Sequence, residues 1–287
     1  MSAITRFLPK NHLSYLIGQL VHIRLPVFLN KFIIVSFARA YRINLNEAEL
    51  PVEKYPSLGE FFIRKLKFGI RPMAQSWAVH PVDAAITQAG KIISGKLIQA
   101  KDKTYSIETF TQDKKALEKY HNGVFLTYYL CPTDYHRVHS PVSGEIKRVV
   151  HIPGGLWPVN SWSTENIHEL FSINERVLVE IETELGLVGV MFVGATNVGK
   201  ICLSFDAEII GNQLLSGAIK EKNYFNLSIK LPIKKGEELG MFRMGSTVVM
   251  LYSENTILVE SLDKWIGQRV KVNSEFTKNY AGDNYAG

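Results

Sequence analysis

Two cysteines in 287 residues, Cys131 and Cys202, cannot build a disulfide framework, and neither has the Cys-x-x-Cys partner that zinc ribbons and thioredoxin-type chemistry need. Both lie in apolar, strand-like contexts, as buried thiols do in a reducing compartment. Also missing is any uncharged apolar run of the ~20 residues that a spanning helix requires. No apolar block ends in a small-residue cleavage site, so a secretory signal is not expected. Acids are absent before Glu47, where Arg6, Lys10, Arg24, Lys31, Arg39 and Arg42 stand alone. Those bases account for the whole net charge of +6, and the rest of the chain is balanced.

A basic end of this kind suits nucleic acid or an anionic membrane. Its company excludes the first, because from residue 13 to 41 the bases are embedded among Leu, Ile, Val, Phe and Tyr. Leu13, Leu16, Ile17, Leu20 and Val21 recur at helical spacing, and a second apolar stretch runs from Val27 to Tyr41 after Pro26. Residues 1–45 are therefore expected to form amphipathic helices in a membrane interface. Packing on the protein's own core is the alternative use of the same residues, and the two can hold on different faces.

Residues 46–287 are expected to form a separate catalytic domain. Ser57-Leu58-Gly59-Glu60 has the pattern of a capping box opening a short helix through Phe61, Phe62 and Leu66. From about residue 79 short β-branched and aromatic runs follow one another between Gly, Pro and Asn. They are Val124–Leu130, Arg176–Glu182, Leu187–Val193, Val198–Phe205, Tyr224–Ile229, Thr247–Tyr252 and Thr256–Glu260. Glu184-Leu185-Gly186 has the composition of a hairpin turn, and Thr111–Tyr120 that of a helix. The fold class expected is α+β, with a mainly antiparallel β-sandwich or barrel core and N-terminal amphipathic helices.

Gly194-Ala-Thr-Asn-Val-Gly199-Lys200 spells most of a phosphate-binding loop, but Ile201 stands where Ser or Thr would hold magnesium, and no helix follows. Nucleotide binding is not expected. The densest polar cluster is Cys131-Pro-Thr-Asp134-Tyr-His136-Arg137-Val-His139-Ser-Pro141. A metal site would use His136, His139 and Asp134, yet no further ligand of recognised spacing accompanies them, so general acid–base work is preferred and no metal is expected. Asp83, in Val79-His80-Pro81-Val82-Asp83, taken alone is an ordinary turn aspartate. Met244-Gly245-Ser246-Thr247 places a hydroxyl directly after a glycine carbonyl, as an intramolecular acyl shift requires.

Pro81-Val82-Asp83, Asp134-Tyr135-His136-Arg137-Val138-His139 and Gly245-Ser246-Thr247 resemble, in order and separation, the blocks of bacterial phosphatidylserine decarboxylases. Phe171-Ser-Ile-Asn-Glu175-Arg176-Val177, Val193-Gly-Ala-Thr196 and Ile152-Pro-Gly154 extend the resemblance, which runs from about Tyr55 to Gln268. Met244 replaces the family's usual Leu, and Ala84 its Gly. The resemblance implies a proenzyme that cuts itself between Gly245 and Ser246 into a β chain (1–245) and an α chain (246–287) that stay associated. It implies His139 as the base that takes the Ser246 proton, oriented by Asp83, and a pyruvoyl cofactor made from Ser246. The pyruvoyl carbonyl would serve as electron sink while phosphatidylserine loses carbon dioxide to give phosphatidylethanolamine, with His136 as the assisting acid. Arg137 could meet a phosphate or carboxylate, but a solvated charge is the preferred reading. The implied partners are the lipid substrate and an anionic membrane surface, at the cytoplasmic face of the inner membrane; homo-oligomerisation is left open. Competing readings are a metal-dependent membrane hydrolase using His136 and His139, a non-cleaving lipid-binding relative, and a pyruvoyl enzyme acting on a soluble amino acid.

Overall fold

A computed structural model describes residues 18–100, 103–196, 200–207, 218–224, 230–243, 246–257 and 262–276, with Ser246 described by its backbone alone. Leu13, Leu16, Ile17, Met244 and Gly245 thus lie outside the described residues, as does most of the expected strand Tyr224–Ile229.

The first helix, α1 (Val27–Ala40), starts immediately after Pro26, whose missing N–H costs nothing at a helix start. Asn30, Ile34 and Ala38, spaced four apart, form its buried stripe. They join Ile43, Ala48, Tyr55 and Phe61 in a small apolar cluster distinct from the main core. Asn30 adds a side-chain hydrogen bond to the Tyr55 carbonyl. The opposite face carries Val27, Phe28, Leu29 and Phe32 into solvent. The packing use foreseen for these apolar residues is thus seen on one face, and the other is left exposed. No helix among the described residues is long and apolar enough to cross a membrane. The second helix, α2 (Leu58–Phe62), is capped by Ser57, whose Oγ accepts from the Glu60 N–H. It stops at Phe62, short of Leu66, which instead bridges to Ala48.

Beyond residue 83 the described regular structure is mostly strand: β1 (Ala84–Lys91), β2 (Lys96–Ala100), β3 (Lys103–Ser106), β4 (Val124–Leu130), β5 (Arg137–His139), β6 (Gly144–Ile152), β7 (Arg176–Thr183) and β8 (Gly186–Val193). It continues with β9 (Ile201–Leu203), β10 (Lys220–Asn223), β11 (Pro232–Ile233), β12 (Glu238–Phe242), β13 (Ser246–Tyr252) and β14 (Arg269–Val270). Nine described strands form one open antiparallel sheet in the order β10-β6-β7-β8-β13-β4-β1-β14, with β11 also on β6. A second sheet, β5-β12-β9, packs on it through Phe242 against Phe192, ring centroids 5.4 Å apart. The architecture is α+β with antiparallel sheets, as expected; the main sheet is open rather than closed as a barrel.

β4 is buried along most of its length, as a strand flanked by β13 and β1 must be. At the β7–β8 hairpin Gly186 takes φ +135°, a conformation closed to most side chains, and Glu184-Leu185-Gly186 makes the turn foreseen. The helix expected over Thr111–Tyr120 is two shorter ones, α3 (Ile107–Thr111) and α4 (Ala116–Lys119). Gln112 between them adopts the left-handed conformation, and Asp113 accepts from the Lys115 N–H to restart the chain. Thr256 and Ile257 are not in a strand. Residues 194–196 and 200 link β8 to β9 with no helix following, which removes the context of a phosphate-binding loop.

Candidate active site

Antiparallel pairing brings separate motifs to one end of the main sheet. Ser246 opens β13 opposite Leu130, the last residue of β4, and Thr247 lies opposite Tyr129. Tyr129 is in turn opposite Ala85, so Asp83 sits just before β1 at the same end. From Leu130 the chain passes through Cys131–His136 into β5, whose His139 N–H donates to the Pro81 carbonyl. The strand β12 pairs with β5, and the Phe242 N–H donates to the His136 carbonyl. Thus β12 runs from Glu238, opposite His139, to Phe242, hydrogen-bonded to His136, before the chain re-enters the main sheet at Ser246. Arg243 there binds Glu60 of α2 at 3.2 Å, tying the segment to the N-terminal layer.

His139 is held at both ring nitrogens. Nδ1 lies 2.7 Å from the Gly236 carbonyl and must carry the proton, because a carbonyl can only accept. Nε2 is 3.0 Å from the Tyr135 hydroxyl, with the two rings stacked. Burial lowers the pKa of His139, opposed by the Gly236 hydrogen bond and the Glu238 charge. The neutral ring therefore presents an Nε2 lone pair, and Tyr135 donates to it. Gly236 has φ +84°, which aims its carbonyl at the ring.

Asp83 does not orient His139. Its carboxylate accepts from Arg71 at 2.6 Å, from Lys271 at 3.1 Å and from the Val272 N–H at 2.9 Å. Burial alone would raise its pKa; the Arg71 hydrogen bonds, the nearby cations and the Val272 N–H outweigh it and hold the carboxyl below the ordinary value. The Asp83 charge still acts on His139 through space, favouring the protonated ring. The expected acid–His hydrogen bond is replaced by a backbone carbonyl on the imidazole and an electrostatic influence from the acid.

His136 is wholly buried. Its Nδ1 donates to the Asp134 carbonyl at 2.8 Å, and Phe62 packs over it with ring centroids 4.0 Å apart. Burial depresses its pKa to about 3, and its Nε2 has no hydrogen-bond partner among the described residues. Asp134 is sequestered by the Cys131 N–H and Arg269, with burial raising its pKa. Arg137 is not a solvated charge: it forms a two-pronged pair with Glu238 at 2.7 and 2.9 Å and donates to the Ile63 carbonyl. Among the described residues no three His, Cys, Asp or Glu side chains gather as a metal site would require.

Sequence reasoning missed Tyr135, Gly236, Arg71 and Lys271. Tyr135 lay inside the quoted motif, where a tyrosine four residues before a histidine is a readable signal. Arg71 and Lys271 had none, because the pairing that brings them to Asp83 joins distant parts of the chain.

The chain is similar in sequence to known proteins of one family. A family profile for phosphatidylserine decarboxylase matches residues 58–278. A phosphatidylserine decarboxylase proenzyme of Anaeromyxobacter sp. (strain K) is 39% identical over 249 residues, covering 86% of this chain and 87% of that one. One from Myxococcus xanthus is 34% identical over 276 residues, 94% and 96% of the two chains. Another, from Dechloromonas aromatica, is 40% identical over 252 residues, 87% and 88% of the two chains.

Proposed function

The chain belongs to the phosphatidylserine decarboxylase family, and from that premise we propose that it is a proenzyme whose own backbone supplies its cofactor. Its reaction is the decarboxylation of phosphatidylserine to phosphatidylethanolamine. The observation that carries the proposal is the convergence of β12, β13, His139 and Asp83 on one end of the sheet.

In maturation, the neutral His139 takes the Ser246 hydroxyl proton and Ser246 attacks the Gly245 carbonyl, breaking the peptide bond and forming an ester. β-Elimination then frees the Gly245 carboxylate and leaves dehydroalanine at position 246, which takes up water and loses ammonia to become a pyruvoyl group. Gly236 fixes the tautomer that leaves Nε2 basic, and the Asp83 charge favours the imidazolium that forms. The β chain 1–245 and α chain 246–287 remain joined by β13, which lies between β4 and β8 in the middle of the main sheet.

With Nδ1 protonated, the buried His136 Nε2 is an acceptor without a partner among the described residues, free to take a proton from the amine that meets a pyruvoyl group at position 246. Once formed, the group supplies an electron sink for loss of carbon dioxide. His136, kept neutral by burial, holds or returns a proton there without competing charge.

Residues 1–45 form the membrane-association segment and the remainder the catalytic domain. Phe28 and Phe32 of α1 are 72% and 71% exposed, with Arg24 and Arg39 at either end of their stretch. Such a face suits an anionic interface at the inner membrane's cytoplasmic side, where the substrate resides.

Intact mass under denaturing conditions tests maturation: active enzyme gives two chains split at 245/246, and Ser246→Ala gives one. Activity from an uncut chain refutes the scheme. For docking, removal of residues 1–45 abolishes binding to phosphatidylserine vesicles while self-cleavage continues; unchanged binding refutes that role.

A further inference from the structure

Arg64 is the one arginine in the described interior with neither an acid nor a full set of carbonyls. Arg71, Arg137, Arg148, Arg243 and Arg269 each hold a carboxylate. Arg176, equally buried, donates to the carbonyls of Phe110, Ser172, Asn174 and Thr109. Arg64 is 5% exposed, yet its Nε and Nη1 have no acceptor. Among the described residues its guanidinium makes one hydrogen bond, a long one of 3.4 Å from Nη2 to the Thr133 carbonyl. The Phe61 ring lies beneath it, 5.1 Å from the guanidinium carbon. The carboxylates of Asp83 and Glu47 reach it only through space.

An interior guanidinium with two unmet donors is costly, and such groups are normally satisfied or neutralised. This one also sits where a ligand is needed. Its Nη2 and the His136 Nδ1 are fastened to adjacent carbonyls, those of Thr133 and Asp134. The two side chains therefore flank one turn, and both keep unpartnered nitrogens. That turn is covered by α2, through Phe62 on the His136 ring and the Ile63 carbonyl on Arg137.

Resting on the reading that the substrate is phosphatidylserine, we infer that Arg64 binds the phosphodiester of the lipid headgroup. The headgroup enters at the seam between α2 and residues 133–137, and the Arg64 fork meets two phosphodiester oxygens. The choice between the two anionic groups of the substrate follows from the reaction. The carboxylate leaves as carbon dioxide, so a cation gripping it stabilises the state that must be abandoned. The phosphodiester keeps its charge throughout, and a cation holding it contributes to binding without opposing the chemistry. The seam lies beside the helices whose apolar face meets the membrane, so a lipid reaches it without leaving the interface.

The test compares wild type, Arg64→Gln and Arg64→Lys as self-cleaved enzymes in mixed micelles of phosphatidylserine, with phosphatidylmethanol as competitor. That competitor has the phosphodiester and neither amine nor carboxylate. Arg64→Gln is expected to mature normally, lose no thermal stability and raise KM about ten- to a hundred-fold, the ratio for a lost hydrogen bond to a charged group. Its inhibition by phosphatidylmethanol is lost in parallel. Arg64→Lys, with charge but no fork, falls between the two and serves if the glutamine variant does not mature. An unchanged KM with a lowered melting temperature overturns the inference in favour of a structural cation. A raised KM with inhibition by phosphatidylmethanol intact overturns the phosphodiester assignment. Wild-type enzyme that cleaves itself but leaves phosphatidylserine untouched sinks the substrate reading instead, a result distinct from either.

Discussion

Replacing Tyr135 by Phe removes one hydroxyl from Nε2 of His139 and nothing else from its grip, because the Gly236 carbonyl keeps Nδ1. With Nδ1 protonated, the Tyr135 hydroxyl donates to the neutral ring, and that hydrogen bond must be surrendered or reversed when Nε2 takes a proton. A hydrogen bond of this kind is worth about 1 kcal/mol net, so its loss raises the pKa of His139 toward the ordinary histidine value. The same bond covers the lone pair that the Ser246 proton must reach. Uncovering it accelerates self-cleavage about five-fold on the alkaline plateau, the equivalent of that free energy. A pulse of cell-free synthesis, chased in buffers spanning roughly pH 5 to 9, gives both quantities from the fraction of split chain. The expected profile for Tyr135→Phe has its midpoint shifted to higher pH and a raised plateau. An unshifted or acid-shifted midpoint refutes the assigned tautomer. A plateau about a hundred-fold lower at every pH refutes the capping role, since the hydroxyl then carries the proton instead of covering its acceptor.

Acid should unfold the protein through His80 and His136, both held neutral with pKa values of about 3 against 6.5 for a free ring. Each takes up a proton only on unfolding, so its stabilisation is complete above 6.5 and declines as pH falls toward 3. Together they cost about 2.7 kcal/mol per pH unit, or about 4 kcal/mol by roughly pH 5. Urea titration of uncleaved Ser246→Ala at about pH 7 and 5 measures this, and a difference below about 1 kcal/mol contradicts it. Gly236→Ala forces a side chain into positive φ with its Cβ driven against Met73 Cε. A loss of about 1–2 kcal/mol and slowed self-cleavage are expected; normal cleavage kinetics would show that the Gly236 carbonyl does not set the base. Asp83→Asn removes the charge favouring imidazolium and should move the cleavage midpoint to lower pH, in the same pulse–chase assay. A midpoint moved upward counts against any electrostatic role.

Local features were legible from residue types. The β4 run Val124–Leu130 and the β7–β8 hairpin followed from β-branched and aromatic residues between turn formers, and Ser57 marked its helix by capping chemistry. The helix at Thr111–Tyr120 was misjudged because helical propensity does not report a single left-handed residue such as Gln112. Arg137 read as solvated because its partner Glu238 lies on another strand. The ordered motifs located His139, His136 and Asp83 at one sheet end without revealing which groups touch. That depends on strand register, which pairs Ser246 with Leu130 and Glu238 with His139.

Asp83 shows why the distinction matters for mechanism. A carboxylate that accepts from Arg71, Lys271 and the Val272 N–H has no lone pair directed at an imidazole and cannot relay a proton at neutral pH. The same bonds fasten the start of β1 to the residues after β14, and they fix a negative charge in the interior near the base. A fixed charge responds to an approaching proton without rearranging, which is what an electrostatic stabiliser must do. The cations that hold it also keep it from drifting onto His139, where a direct ion pair would raise the ring's pKa and leave it protonated when it must act as base. Under the proposed maturation scheme the geometry separates two tasks that a hydrogen-bonded acid–histidine–serine triad assigns to one aspartate. A backbone carbonyl chooses the tautomer, and a restrained carboxylate steadies the charge.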